Sequence, residues 1–506
     1  MQRSKEKSYV VEFPLVTEKY QEDEIDTRFD CGRMIYNALV TVTMKRYGEM
    51  IKTKLYRWLM AELFDINTKL KNKDDEKEKC ISVKKKEIRD KLTKLRNEYR
   101  INEYAFQLDV KEMQWHYKSK IHSQIAQNIA TNVWRAYEKL MFGDGKLIRY
   151  KKHGQTNSLS GKTNETGIVF RDDYIVWGKL KLKVKIDYRN PYEAAAMRER
   201  IAYCRIVRKF VRGRYKYYVQ VLLKGLSPAK TDKETGELKN GLGTGDVGLD
   251  IGTQTIAISS VLSVKLYELA DRVQKQEDVK RRLRRKMDRS RRSTNPDNFN
   301  EDGTIKKQGS NKVIWVRSNG YKKVQGELRE ICRKQSAVRK GQHQLLANEI
   351  ISLGNKIYVE EMNFKGLQKR AKKTEQNEDG KFKRKKRFGK SIANKAPAML
   401  LTIVKQKLER QGETLYKVNT REVKASQYNH ETDDYTKKKL SERWNDINSE
   451  KVQRDMYSAF LLMNVGSDLK SIDKEKCNER YANFKVKHDE EVQMLASKRN
   501  ISSIGI

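Results

Sequence analysis

Gly245-Asp246-Val247-Gly248-Leu249-Asp250-Ile251-Gly252-Thr253-Gln254-Thr255-Ile256-Ala257-Ile258 is the stretch on which the reading of the fold turns. A short apolar strand runs into a tight glycine turn, and a second, β-branched strand leaves it. Asp250 ends the first strand. Glycines 248 and 252 leave little side-chain bulk around its carboxylate. A hard cation such as magnesium wants oxygen ligands, and an open site of this kind admits a metal and a bulky phosphate together. Taken alone, the stretch reads equally well as an ordinary β-hairpin with one exposed acid.

Two more acids stand downstream in fitting contexts. Asn355-Lys356-Ile357-Tyr358-Val359-Glu360 is again a short β-rich strand ending in an acid, and Glu361–Leu367 then leaves the sheet. In Val452-Gln453-Arg454-Asp455-Met456-Tyr457-Ser458-Ala459-Phe460-Leu461-Leu462, small and apolar residues make a helix face that can dock on that sheet and carry Asp455 to the other two. The three acids are separated by 110 and 95 residues, so only the fold can unite them. Two strand-end acids and one helix acid is the arrangement of an RNase H-like sheet. Such carboxylates repel one another unless divalent cations lie between them. Two magnesium ions about 4 Å apart can activate a water, bridge a scissile phosphate and stabilise the leaving 3′-oxygen.

The whole-chain numbers point to a polyanionic partner. The chain has 506 residues, enough for roughly two to four domains. Lys and Arg total 109 against 67 Asp and Glu, a net charge of +42 spread along the chain. Nucleic acid is the first choice. A ribosomal or chromatin-packing role is the plainer alternative, but isolated acids ending apolar strands are foreign to such chains. No apolar run is long enough to span a bilayer, and Met-Gln-Arg-Ser-Lys-Glu-Lys has no apolar signal core, so a prokaryotic cytosolic protein is expected. Cys31, Cys80, Cys204, Cys332 and Cys477 form no Cys-x-x-Cys pair, which fits free thiols in a reducing compartment.

Along the chain, Ser8–Leu15 alternates as a strand. Phe29, Met34, Ile35, Ala38, Leu39 and Val42 have helical spacing over about 26–47, and helices are expected over 52–64 and 83–99. The stripe Ile121, Ile125, Ile129, Val133, Tyr137 and Leu140 reads as helix core. Short strands are expected at 147–150, 166–171, 174–177 and 180–186, then a long hairpin, 201–210 and 215–223, around Arg212-Gly213-Arg214. Its interleaved Lys209, Phe210, Tyr215, Lys216, Tyr217 and Tyr218 suit stacking and phosphate pairing, at even odds with an ordinary barrel face. Within Lys280–Arg292, nine of thirteen residues are basic, Arg281, Arg282, Arg284 and Arg285 among them. A helix tracking a nucleic-acid backbone is favoured over a solvated face. Residues 293–310 read as a flexible insertion, 320–351 as a long basic helix, 369–390 as a basic low-complexity loop, and 391–411 as a helix that Ser391 could cap.

Together, Gly-Leu-Asp-Ile-Gly-Thr, Ile-Tyr-Val-Glu-Glu-Met-Asn-Phe-Lys-Gly-Leu and Arg-Asp-Met-Tyr-Ser-Ala-Phe resemble the split RuvC nuclease of TnpB proteins and of the compact type V CRISPR effectors. Ser391–Ala396 sits where that family has its helix between the second and third motifs. The resemblance covers about 246–465, and the N-terminal half matches in order and composition. It implies an α+β multidomain chain: a wedge-like β-barrel with an inserted helical recognition lobe, followed by a split RuvC (RNase H-like) α/β nuclease domain. The implied division is residues 1–25 and 143–225 for the barrel, 26–142 for the lobe, 226–245 for a linker, 246–423 and 451–506 for RuvC, and 424–450 for a segment where the family often has a zinc ribbon. By motif position Asp250, Glu360 and Asp455 would be the catalytic, metal-binding acids, with Mg2+ or Mn2+ as cofactor. A guide RNA and a matching target DNA are the implied partners, with no membrane, and a homodimer on one guide RNA stays open.

One departure stands out. Ala425-Ser426-Gln427 matches the approach to the ribbon, yet no cysteine follows; His430, Asp433 and Asp434 make a poor zinc site, and no structural zinc is expected. Lys437–Lys439, Arg443 and Trp444 would then load DNA. The sequence therefore reads as an RNA-guided, metal-dependent DNA endonuclease. An RNA-guided repressor that does not cut and a guide-free, transposon-associated nuclease are its rivals.

Overall fold

The structure is a computed structural model and describes residues 6–69, 78–143, 145–232, 234–306, 313–371, 374–376, 380, 382, 388–437 and 442–497. The chain divides into two compact units, 1–228 and 229–506.

The first unit runs β1 (Ser8–Val16), α1 (Lys19–Lys52), α2 (Lys54–Lys69), α3 (Glu78–Glu98), α4 (Glu103–Trp115), α5 (Ser123–Phe142), β2 (Ser158–Ser160), β3 (Ile168–Arg171), β4 (Tyr174–Trp177), β5 (Leu180–Val184), α6 (Pro191–Met197), β6 (Ile201–Val211) and β7 (Arg214–Lys224). Its seven strands form one sheet in the order β2-β6-β7-β1-β5-β4-β3. β1 joins the two halves, pairing with β7 through Pro14 and with β5 at Leu15 and Val16. The sheet curls until the backbone of Phe170 in β3 meets the Cys204 thiol in β6. Where a wedge-like β-barrel is expected, the sheet is a curled half-barrel: no ladder pairs its end strands among the described residues. Strand alternation points Phe13, Ile206, Val219 and Val221 inward, where they meet Phe29, Ile35 and Leu39 of α1 and Ile125, Ile129 and Val133 of α5.

Of the stripe expected as helix core, Ile125, Ile129, Val133 and Tyr137 are buried in α5, Ile121 is buried just before the helix begins, and Leu140 is only partly buried. In α1 the phase is shifted. Met34 and Ala38 face solvent, while Arg28, Gly32 and Tyr36 line the buried side. Residues 147–150 are not a strand.

The second unit runs β8 (Asp246–Ile251), β9 (Thr255–Ser260), β10 (Val264–Glu268), α7 (Glu277–Thr294), α8 (Asn319–Ser352), β11 (Lys356–Glu360), α9 (Phe364–Leu367), α10 (Gly389–Lys395), α11 (Pro397–Arg410), β12 (Leu415–Val418), α12 (Thr420–Val423), β13 (Tyr428–Asn429), β14 (Asp434–Tyr435), β15 (Trp444–Ile447), β16 (Glu450–Gln453), α13 (Arg454–Met463) and α14 (Lys474–Ser497). Its main sheet has the order β10-β9-β8-β11-β12. β8, β11 and β12 are parallel, and β9 and β10 form an antiparallel meander with β8.

Period-two alternation makes this sheet the middle of three layers. Val247, Leu249, Ile251, Ile256, Ile258, Ile357 and Val359 face one core with α8 and α11. Ala257, Val264, Leu266 and Val418 face the other with α13 and α14. α13 is apolar on all sides, and each residue from Met456 to Met463 is buried, as a helix sandwiched between sheet and partners must be.

Two sequence expectations fail locally. Residues 391–411 are two helices, because Ala396 takes a left-handed backbone (φ 48°) and Pro397 begins α11; Ser391 lies inside α10 and bonds Phe388 O instead of capping. Residues 293–306 are folded. Asn295 ties to the backbone of Val316, and Phe299 packs edge-on to Trp315 with Arg291 and Arg292 over its ring. The remainder of that insertion, 307–310, lies outside the described residues, as does most of the basic stretch 372–387. Among the described residues no helix is long and apolar enough to cross a membrane.

Candidate active site

Asp250, last but one in β8, and Glu360, last in β11, lie at the same end of neighbouring parallel strands. β11 runs beside β8 with Tyr358 opposite Gly248 and Val359 opposite Leu249. Because side chains alternate, Gly248, Asp250, Tyr358 and Glu360 share the face that α13 covers. Asp455 lies in the first turn of α13, so the docking of this helix decides whether the third acid reaches the other two. Gly248 permits that docking. A Cβ built there would stand 1.9 Å from the Ala459 carbonyl oxygen and 2.5 Å from the Met463 amide nitrogen. This glycine serves the approach of the helix backbone to the strand, not room around the carboxylate. Gly252, in the turn, would meet only Thr255 at ordinary contact distance.

The three carboxylates come within electrostatic reach of one another. Burial is the main cause that raises the Asp250 carboxyl well above its usual range. Asp455 and then Glu360 raise it further, while Arg454 and Arg443 oppose them. Burial also raises Glu360, whose Oε1 is buried with no hydrogen-bond partner among the described residues. An oxygen-only donor set with an orphaned buried carboxylate oxygen suits a hard divalent cation. It is not a closed cage: among the described residues no three His, Cys, Asp or Glu side chains group closely enough to hold one ion. Arginines hold Asp455 instead. Arg443 Nη1 stands 3.5 Å from its Oδ2, and Arg454 Nε 3.6 Å from its Oδ1.

The β15–β16 hairpin brings these arginines together. Trp444 pairs with Gln453, and the Arg454 amide donates to the Arg443 carbonyl at 2.9 Å. Arg443, expected to load DNA, therefore belongs to the acid cluster. Trp444 is half-buried, with its ring edge-to-face to the buried His488 at 6.4 Å. Lys437 is exposed, and Lys438 and Lys439 lie outside the described residues. His430 is a core residue: its Nδ1 lies 2.6 Å from the Tyr457 hydroxyl, and its ring packs on Tyr481. Sequence reasoning gave Arg443 a different role and Arg454 none. Arg454 stands next to Asp455 in the chain, and that adjacency is a signal of a charge partner. Arg443 carries no such signal, since only the hairpin register brings it there.

The basic helix α7 is two-sided. Lys280 is buried and bonded to Glu277 and to Gln335 of α8. Arg281, Arg282, Arg284 and Arg285 are exposed. Arg281, Arg284, Arg285, Arg289 and Lys390 line a groove of about 640 Å³ together with Glu277, Asp278 and Asp288. Arg282 is exposed away from that groove.

In the first unit, Arg212 (φ 51°) and Gly213 (φ 83°) make the two-residue hairpin turn, and Arg212 and Arg214 are exposed at its tip. The adjoining aromatic set is partly committed inside the unit. Tyr217 is buried and donates to Asp26 at 2.8 Å. Arg208 pairs with the same Asp26 and lies over the rings of Phe29 and Tyr215.

No protein-family model matches the chain, and no curated protein sequence does. Among solved structures, a Cas12f1–sgRNA–target DNA complex is similar over 91% of this chain and 99% of that one, at 11% identity and a TM-score of 0.40. A CRISPR-Cas12f ternary complex matches over 88% and 82%, at 12% identity and 0.22. A Cas12i–crRNA–dsDNA complex matches over 93% and 65%, at 10% identity and 0.23. These are weak overall likenesses spread along nearly the whole chain.

Proposed function

We propose that this chain is an RNA-guided DNA endonuclease of the RuvC type, hydrolysing phosphodiester bonds at Asp250, Glu360 and Asp455. The observation that carries the reading is the convergence of three acids, more than ninety residues apart in sequence, on one face of a β10-β9-β8-β11-β12 sheet. That strand order, with a parallel centre and an antiparallel flank, is the arrangement expected of an RNase H-like nuclease. Burying carboxylates raises the energy of the folded protein, as the raised Asp250 and Glu360 carboxyls register, and the like charges beside Asp250 add to it; a structural role gives no reason to keep them. Asp250, Glu360 and Asp455 would hold magnesium or manganese. When bound, these ions would supply the activated water and the charge neutralisation that phosphodiester cleavage needs.

The protein's own groups account for the remaining requirements. The strands fix Asp250 and Glu360 on a rigid sheet, and α13 delivers Asp455. Arg443 and Arg454 neutralise Asp455 in the metal-free protein. The exposed arginines of α7 and the +42 net charge suit binding along nucleic-acid backbones. The guide follows from the motif resemblance. Base pairing would choose the target, while the protein reads backbone shape and a short duplex motif.

One observation favours the rival in which the protein binds without cutting: Asp455 is engaged by two arginines, and the acids form no closed cage. Purifying the protein with its co-purifying RNA, sequencing that RNA and offering a matching DNA duplex with Mg2+ separates the readings. Cutting supports the proposal, binding without cutting supports a repressor, and cutting by RNA-free protein supports a guide-free nuclease.

A further inference from the structure

The third acid depends on the first turn of α13, and that turn is held from behind by α14. Gln453 is fully buried, ends β16 and caps α13: its side-chain Oε1 accepts from the Met456 amide at 2.9 Å. Its backbone N–H points away from β15 and donates to His488 Nε2 at 2.9 Å. To accept there, the His488 ring must carry its proton on Nδ1, which lies 2.8 Å from Asp489 Oδ1. Asp489 is in turn paired with Lys485, which also approaches Glu450 of β16. The imidazole is 1% exposed and packs against Trp444 and Phe484. A relay thus runs from Asp489 through His488 to Gln453, two residues before Asp455.

We infer that His488, oriented by Asp489, is a positioning residue that fixes the start of α13 and thereby the place of Asp455. Resting on the nuclease reading above, it assigns the C-terminal helix a part in catalysis at a distance. Replacing the imidazole acceptor breaks the bond that the buried Gln453 backbone N–H makes to α14, and the strand-to-helix junction loses that anchor. Burial holds the His488 pKa low and keeps the ring neutral, as the acceptor role requires.

The test uses the full-length, RNA-loaded protein and two substitutions. His488→Phe keeps the aromatic packing and deletes the acceptor. His488→Gln keeps an acceptor near the position of Nε2. Single-turnover cleavage of a matched DNA is measured beside gel-shift binding of the same DNA, and hydrogen exchange is followed over 450–458. Expected for His488→Phe is faster exchange confined to this segment, cleavage slowed by about 10–100-fold and binding near wild type. His488→Gln should recover most of both losses. Wild-type exchange and cleavage in His488→Phe overturn the inference. So does equal damage in the two variants, which makes the imidazole a packing element only. Should the wild-type protein prove not to cut DNA, the nuclease reading fails on that result, while exchange at 450–458 still decides the positioning role.

Discussion

Replacing Gly248 with alanine strikes the contact on which the active site depends. The added methyl carbon would lie 1.9 Å from Ala459 O, 2.5 Å from Met463 N and 3.0 Å from Ala459 C. All three are backbone atoms of α13, so no side-chain rotation relieves the clash. The helix must retreat by at least about 1 Å before the closest pair reaches a tolerable distance. Overpacking of this kind costs about 1–3 kcal/mol of stability. Its effect on chemistry is larger, because α13 carries Asp455, and a 1 Å misplacement of a catalytic group costs about 100-fold in rate. Target binding should stay near wild type, since phosphate contacts and base pairing supply it. Thermal melting, gel shift and single-turnover cleavage on one preparation measure the three effects. Gly252→Ala is the control: its methyl meets only Thr255 at 3.5 Å and 3.6 Å, and it should behave as wild type. A folded Gly248→Ala protein that cuts at the wild-type rate would refute the claim that close packing of α13 on β8 positions Asp455.

Other perturbations have equally definite outcomes. Neutralising Arg281, Arg282, Arg284 and Arg285 should weaken binding to every DNA and RNA sequence alike and make the log–log salt dependence shallower, by about 0.7–0.9 for each phosphate that is no longer neutralised; an unchanged slope makes α7 a solvated face. The raised Asp250 and Glu360 carboxyls bind protons more tightly in the folded protein than in the unfolded chain, so their charge lowers stability as pH rises through the folded values and costs nothing below the unfolded ones. In metal-free buffer Asp250→Asn should therefore melt higher than wild type at about pH 8, and the gain should fade towards about pH 4; a gain that grows on acidification contradicts the argument that burial and neighbouring charge raise this carboxyl. Tyr457→Phe removes the hydroxyl facing His430 Nδ1 and should lower thermal stability by about 1 kcal/mol or more while leaving the metal requirement of cleavage unchanged; unaltered melting removes that bond from the account.

Much of the site is legible without the fold. Alternation in 246–260 and 356–360 gives the strands, and an acid at a strand end is visible as such. The small-residue face of 455–462 announces a helix that approaches a sheet closely, although Gly248 as its counterpart appears only once the two backbones meet. What escapes sequence reading depends on long-range register or on single backbone angles. Arg443 looks like any basic residue until the β15–β16 hairpin sets it beside Asp455. Ala396 adopts a left-handed backbone that its identity does not announce, so 391–411 reads as one helix instead of two. Arg291 and Arg292, counted as charge for a nucleic-acid backbone, instead cover Phe299 and help order an insertion whose Asn, Asp and Gly content suggests a loose loop. Tyr217 and Arg208 are likewise used inside the first unit, because Asp26 of α1 offers them a shared acceptor.

The most direct measurement compares the RNA-loaded wild-type protein with its Asp455→Ala variant on one end-labelled DNA matching the bound RNA, with Mg2+ present, scoring binding and strand cleavage together. The account predicts equal binding by both proteins, cutting by the wild type that EDTA abolishes, and no cutting by the variant. Cutting by the Asp455→Ala protein at the wild-type rate, or tight binding without any cutting by the wild type, would contradict it.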